Sequence, residues 1–419
     1  MTTTNPNPPG TVDPHRWPDV ARIPSGRLRT AVARGLVARA LPAVGIRLHT
    51  GPQSPPAGPA EDGAPVLWLR DPDAFHARLA HDGLIGFGES YMAGEWDSPD
   101  PVAALTRFAE HYEELVPRPL QPLRHLTLPR RPPSDRNTRA GARRHISHHY
   151  DLSNDLFALF LDRTMTYSSA LFTDGDPRDP QGLARAQERK VDRLLDAAAV
   201  TDGTRLLEIG TGWGELAVRA ARRGARVTSI TLSTEQRDLA RERVAAEGLS
   251  ELVTVDLCDY RDATGSYDSV VSCEMIEAVG ERYWPAYFTA LDRLVRPGGR
   301  VALQSITMEH RMMRASRTSH TWMHKYVFPG GLIPSVTAVR EQLAARTGLR
   351  ITDRLAFGHD YADTLRVWRD SFTGAADRVR ALGFDDTFRR MWNFYLSYCE
   401  AGFRSGIIDV EQITMERAA

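Results

Sequence analysis

The alternation of strand-like and helix-like segments after residue 180 restricts this chain more than any other feature. GLARAQERKVDRLLDAAA reads as a helix, RLLEIG as a strand, ELAVRAARRG as the next helix and RVTSITL as the next strand. TEQRDLARERVAAEG, LVTVDL, YDSVVSCE, a helix near 281–295 and GRVALQSI continue the series. Parallel strands need a crossover to return to the same end of a sheet, and a helix is its usual form. The repeated order therefore predicts an α/β fold with a mostly parallel sheet. At 419 residues the chain exceeds the usual single domain and has room for a smaller second one.

That second domain is expected upstream. Residues 1–24 read as a flexible tail, 25–116 as a small mixed domain, 117–144 as a linker and 145–419 as the domain built on the parallel sheet. Within the small domain, Arg27 to Leu48 reads as an amphipathic helix and VLWLR as a strand. DPDAFHARLAH reads as a helix capped by Asp71 or Asp73, and residues 101–115 as another. The linker is rich in proline, which interrupts helices, and carries eight arginines against one aspartate. Two readings of it stay open: a solvated connector, or a segment drawn to an anionic membrane surface. No recognition motif accompanies these arginines and the formal net charge is zero, so no nucleic-acid partner is expected.

The N-terminus lacks a basic segment followed by an apolar run, and no stretch of about 18 apolar residues occurs. Cys258, Cys273 and Cys399 have neither zinc nor disulfide spacing, which fits reduced thiols in the cytoplasm. Adjacent His148 and His149 have no two further ligands at useful spacing, so no metal site is expected.

The turn after RLLEIG carries the clearest chemical signal. Gly210, Gly212 and Gly214 permit close backbone approach at the carboxyl end of the first parallel strand, where open α/β sheets bind small molecules. A dinucleotide pyrophosphate would disfavour the neighbouring Glu208, whereas a cationic sulfonium amino acid suits it. Thr231, Leu232 and Gln236 in ITLSTEQ fall where a ribose is expected, and Cys258 and Asp259 fall where an adenine is expected. These positions point to S-adenosylmethionine. Tyr167 and Ser168, in MTYSSA upstream of the sheet, are placed as a cover over the same site.

RHISHHYDLSNDLFALFLDRTMTYSSALF, LLEIGTGWGELA, ITLSTEQ, CEMIEAVG, KYVFPGGLIPS and YLSYCEAGFRSG together resemble the cyclopropane-fatty-acyl-phospholipid synthase family, which includes the cyclopropane mycolic acid synthases. LIGFGESYMAGEW resembles the N-terminal domain of its longer members. The resemblance implies a Rossmann-like class I methyltransferase with a mostly parallel seven-stranded sheet and a smaller N-terminal lipid-recognition domain. It also implies attack of an acyl-chain alkene on the sulfonium methyl group, followed by proton loss from a carbocation.

In the family a bicarbonate is associated with that proton loss. By motif position its holders are Glu277, Tyr361, the backbone of Ile306, Ser169 in place of a cysteine, and Gln304 in place of a histidine. Serine and glutamine still donate hydrogen bonds, but neither titrates near neutral pH as histidine does. Ala278 also replaces a histidine, although plant-like cyclopropane synthases share the EMIEAVG and LQ arrangement. Tyr283, Trp284, Tyr287 and Phe288 read either as an acyl-chain pocket or as core.

The expected reaction is cyclopropane formation on an unsaturated phospholipid, with peripheral association at the inner face of the membrane. The alternative is a 10-methylene branch that a separate flavin- or nicotinamide-dependent reductase converts to 10-methyl. A homo-oligomer is left open. So are two competing classes, a small-molecule methyltransferase and a lipid-binding module without catalysis.

Overall fold

A computed structural model describes residues 12–51, 63–112, 138, 141 and 153–418. The chain divides into two compact units: residues 1–130, 319–325 and 372–407 make the first, and residues 131–318, 326–371 and 408–419 the second. A single boundary near residue 145 does not produce this division, because two later segments pack into the first unit. Most of the arginine-rich linker, and the His148–Leu152 stretch, lie outside the described residues.

In the first unit, β1 (Arg47–Thr50) pairs parallel with β2 (Val66–Leu69), which pairs antiparallel with β3 (Trp96–Asp97). The helix expected over Arg27 to Leu48 ends at Ala43, where Gly45 at φ +70° turns the chain into β1. Helix Pro72–Asp82 starts with proline in its first turn, and the Asp71 carboxylate accepts from Ala74 N at 3.0 Å. Helix Leu84–Met92 lies so close to its neighbours that a Cβ on Gly86 would sit 2.2 Å from the Arg78 carbonyl oxygen. Trp96, Phe87, Tyr91 and Phe394 form the aromatic centre of this unit, with Phe87 stacked on Trp96 at 4.6 Å.

Arg78 is buried there with all of its nitrogens engaged. Its Nε donates to both Glu95 oxygens at 2.9 Å, and its terminal nitrogens donate to the carbonyls of Asp19, Val20 and Arg22. Residues 17–22, inside the stretch that reads as a tail over residues 1–24, are therefore packed into this unit, with Trp17 Nε1 donating to Asp385 at 2.9 Å and a short helix over Pro18–Ala21.

The second unit is built on β4 (Arg205–Ile209), β5 (Arg226–Thr231), β6 (Val253–Leu257), β7 (Tyr267–Cys273), β8 (Val295–Met308), β9 (Leu349–Ala356) and β10 (Ile408–Arg417). Their order is β6-β5-β4-β7-β8-β10-β9, with β10 antiparallel to both neighbours and the other pairs parallel. Alternate residues of a strand face opposite sides of a sheet. Leu207, Ile209 and Val270 accordingly join one core with helices Trp284–Leu294 and Val336–Arg346, while Leu206 and Val271 join another with helices Pro180–Ala197 and Glu215–Arg222. Burial on both faces explains why these strands read as nearly continuous apolar runs. Among the described residues no helix is long and apolar enough to cross a membrane.

Candidate active site

The first strand of the sheet delivers the glycine turn to the carboxyl edge. Gly210, Gly212 and Gly214 adopt φ +97°, +52° and +91°, so all three occupy backbone conformations that side chains disfavour. Gly214 has a second constraint: a Cβ there would lie 3.0 Å from the Ala240 Cβ. Trp213 ties the turn to the NDLF segment by donating from Nε1 to Asn154 Oδ1 at 2.8 Å.

Glu208 is buried beneath this turn. Its carboxylate accepts from Ser229 Oγ at 2.5 Å, and Ser229 Oγ lies 2.7 Å from Thr211 Oγ1. Burial pushes Glu208 up to about 8, against the Ser229 hydrogen bond and the charge of Lys190. An acid held this way under an open backbone cradle fits the cationic end of S-adenosylmethionine.

The sign of a measurable effect follows. At pH 7 free Glu208 is mostly protonated, and a bound cation favours its ionised form. Binding of S-adenosylmethionine should therefore release a proton, and affinity should rise by up to about tenfold per pH unit below about 8. Calorimetry in two buffers of different ionisation enthalpy checks this: equal heats at pH 7 would remove Glu208 from the linkage.

Around the cradle, Thr231 donates to Gln236 Oε1 at 2.9 Å, and Ser233 caps helix Thr234–Ala246. Leu232 and Cys258 are partly exposed, and Cys258 N donates to the Thr231 carbonyl at 3.0 Å. The Asp259 carboxylate is buried and accepts both from Arg261 Nε at 2.7 Å and from a terminal Arg261 nitrogen. Its local partner is thus a guanidinium two residues away. Tyr167 stacks on Trp368 at 5.2 Å. Ser168 Oγ accepts from Lys190 Nζ at 2.6 Å, which places one of the chain's two lysines in the interior of this unit.

A second group of residues converges at the end of β7. Glu274 follows that strand at φ +48°, a left-handed conformation uncommon for glutamate, and its own N–H donates to the Gln304 carbonyl at 2.7 Å. Its Oε1 accepts from Ser169 N at 2.9 Å and from Gln304 Nε2 at 2.8 Å; its Oε2 accepts from Tyr361 Oη at 2.6 Å. The orientation of Gln304 is set from behind. Its amide oxygen accepts from Gln412 Nε2 at 3.1 Å, and Gln412 accepts from Arg193 at 2.6 Å, so the Gln304 amide nitrogen faces Glu274.

Glu277 stands one helical turn further on. Its Oε1 accepts from Ser305 Oγ at 3.0 Å and from Ile306 N, while its buried Oε2 has no hydrogen-bond partner among the described residues. Burial first, and then repulsion from Glu274, push Glu277 up to about 8. Burial also raises Glu274.

Ser169, Gln304, Ile306, Glu277 and Tyr361 are therefore brought together, as their motif positions imply, but around a carboxylate that the sequence reading missed. The bicarbonate expected from the resemblance does not fit this arrangement. Ser169 N, Gln304 and Tyr361 already donate to Glu274, Ile306 N donates to Glu277, and the Ser169 hydroxyl donates to the Ala170 carbonyl. One signal for Glu274 was available: it ends a strand adjacent to the cofactor strand, on the sheet edge where ligands bind. Of the aromatics that read either as an acyl pocket or as core, Trp284, Tyr287 and Phe288 are buried in the core, and Tyr283 lies under the Arg261 guanidinium at 5.5 Å.

The chain is similar to several known proteins. The family model for mycolic acid cyclopropane synthetase matches residues 137–413. The chain is 53% identical to the tuberculostearic acid methyltransferase UfaA1 of Mycobacterium tuberculosis, over 99% of this chain and 98% of that one. It is 33% identical to the cyclopropane-fatty-acyl-phospholipid synthase of Escherichia coli, over 83% of this chain and 87% of that one. Among solved structures, the cyclopropane synthase MmaA2 from Mycobacterium tuberculosis superposes with a TM-score of 0.60 at 30% identity, covering 66% of this chain and 98% of that one.

Proposed function

Because this chain belongs to the mycolic acid cyclopropane synthetase family, we propose that it places a 10-methylene branch on an unsaturated phospholipid acyl chain, which a separate reductase converts to 10-methyl. The chain is an S-adenosylmethionine-dependent C-methyltransferase that transfers one carbon to an unsaturated fatty acyl chain. The finer reading rests on one observation. Identity to the tuberculostearic acid methyltransferase is 53% across almost the whole of both chains, against 33% to the cyclopropane-forming relative. Tuberculostearic acid is a 10-methyl fatty acid. This comparison shifts the balance away from the cyclopropane product favoured by the sequence motifs.

S-adenosylmethionine, when bound, supplies an electrophilic methyl group. The residues supply the rest: Glu208 and the glycine turn hold the cationic donor, and the acidic pair that follows β7 offers a carboxylate for the proton that must leave the acyl chain. The test is the product formed from a monounsaturated phospholipid and a methyl-labelled donor. Nuclear magnetic resonance should show exocyclic alkene protons on the labelled carbon; high-field ring protons alone would return the assignment to cyclopropane.

The same reading requires contact with lipid, and helix Arg27–Ala43 has the surface for it. Leu28, Val32 and Leu36 are 81%, 57% and 39% exposed at successive helical turns, opposite the buried Ala33, Val37 and Leu41. Arg29 and Arg39 border this stripe, and the helix contains no acidic residue. An exposed apolar ridge bordered by cations matches the headgroup region of an anionic bilayer. Leu28→Asp with Leu36→Asp should weaken binding to phosphatidylglycerol vesicles by about tenfold or more, and added salt should weaken the parent protein's binding. Unchanged sedimentation with vesicles would exclude this face.

A further inference from the structure

We propose that Glu274 is the base that takes the proton from the acyl-chain cation, so that a carboxylate of the chain itself does the work expected of a bound bicarbonate. This rests on the one-carbon transfer described above, but not on which product is formed, since both lose a proton. Three features of the site carry it. Glu274 is held by donors from three distant parts of the chain, at Ser169, Gln304 and Tyr361, and these are donors that the family resemblance assigned to the anion. Its backbone is at φ +48°, a conformation retained only where the surrounding contacts over-determine it. A second carboxylate, Glu277, stands on the next helix with one buried oxygen unpartnered. A free anion added here would meet two carboxylates and no unused donor from the assigned set.

The two carboxylates divide the work. Burial raises Glu274, and against it a donor on each oxygen and the charge of Lys190 favour its ionised form. Glu277, pushed up to about 8 by burial and then by the charge of Glu274, keeps its proton at neutral pH. As the alkene π pair forms the new carbon–carbon bond, the carbon–sulfur pair departs with sulfur as a neutral thioether, leaving one positive charge on the acyl chain. A hydride shift moves that charge next to the methyl group. A methyl C–H bond then breaks, its electron pair closes the exocyclic alkene, and its proton adds to a Glu274 oxygen. The carboxyl returns that proton to water before the next turnover. Tyr361 and Gln304 are positioning residues for this base.

The test combines two variants with a direct measurement of bicarbonate binding. Glu274→Gln keeps the shape and removes the base, and should lower turnover by about 100-fold or more while S-adenosylmethionine affinity stays within about twofold. Glu274→Gly removes the carboxylate at a backbone angle that glycine accepts, so its folding is not at risk from strain. Turnover of this second variant should recover on addition of formate or bicarbonate. ¹³C-bicarbonate should show no bound signal with the parent protein and should bind Glu274→Gly. The proposal is overturned if the parent enzyme loses activity in carbon-dioxide-free buffer and regains it with bicarbonate, if it binds ¹³C-bicarbonate, or if Glu274→Gln turns over at the parent rate. Absence of any one-carbon product from the parent enzyme would instead defeat the functional reading, and the bicarbonate measurement would still judge Glu274.

Discussion

Tyr361→Phe is expected to lower turnover by about 100-fold at neutral pH, with S-adenosylmethionine affinity nearly unchanged. The phenol donates to Glu274 Oε2 at 2.6 Å, and hydrogen bonds to a carboxylate favour its charged form. Without the phenol, a carboxyl already raised by burial is raised further. The acid limb of the pH–rate profile should therefore move to higher pH, and part of the lost activity should return in alkaline buffer. Glu277→Gln provides the contrast. Glu277 is pushed up to about 8 and acts in its neutral form, so an amide should impair turnover less at neutral pH than the Tyr361 change does. A Tyr361→Phe profile that falls uniformly at every pH would mean that the phenol does not act through the carboxylate.

Arg78→Leu should destabilise the first unit by about 3–5 kcal/mol, because removing one member of a buried ion pair strands the other. Glu95 is buried and already sits at about 7, raised by burial in spite of Arg78. The substitution also strips the donor from the carbonyls of Asp19, Val20 and Arg22. The sign with pH is fixed by the raised carboxyl. A folded-state value above the ordinary glutamate range means that the charged form is disfavoured in the fold, so the deficit should be largest above pH 7 and shrink as acid protonates Glu95. Calorimetry should show the first unit melting roughly 10 °C lower. Arg78→Leu combined with Glu95→Leu should recover much of that loss. Equal melting of Arg78→Leu and parent at pH 8 would show that the pair contributes nothing net.

Much of the fold was legible because its signals are local. Leu206 and Leu207 lie on neighbouring positions of one strand and face opposite cores, so the strand reads as an unbroken apolar run wherever helices cover both sides. Asp71 announces its helix by a hydrogen bond three residues away. Asp259 shows what such reasoning leaves out: its place in the strand series suggested a ligand contact, and the fold adds that its carboxylate also accepts from Arg261. Whether Tyr287 and Phe288 faced a pocket or the core was undecidable from one helix, and packing buried them.

At the glycine turn and in the strand–helix series, sequence alone determined the sheet and the edge on which a sulfonium donor is expected, since backbone freedom and apolar periodicity are properties of neighbouring residues. Tertiary structure alone decided what Gln304 means. Read by itself it is a lost histidine; in register with Gln412 on β10, it is an oriented amide that donates to Glu274. Ser169, Gln304 and Tyr361 are far apart along the chain, and only tertiary packing brings their donors to one carboxylate. Hydrogen bonds act over about 3 Å, so a site assembled from such distant residues leaves no periodic trace in the sequence that encodes it.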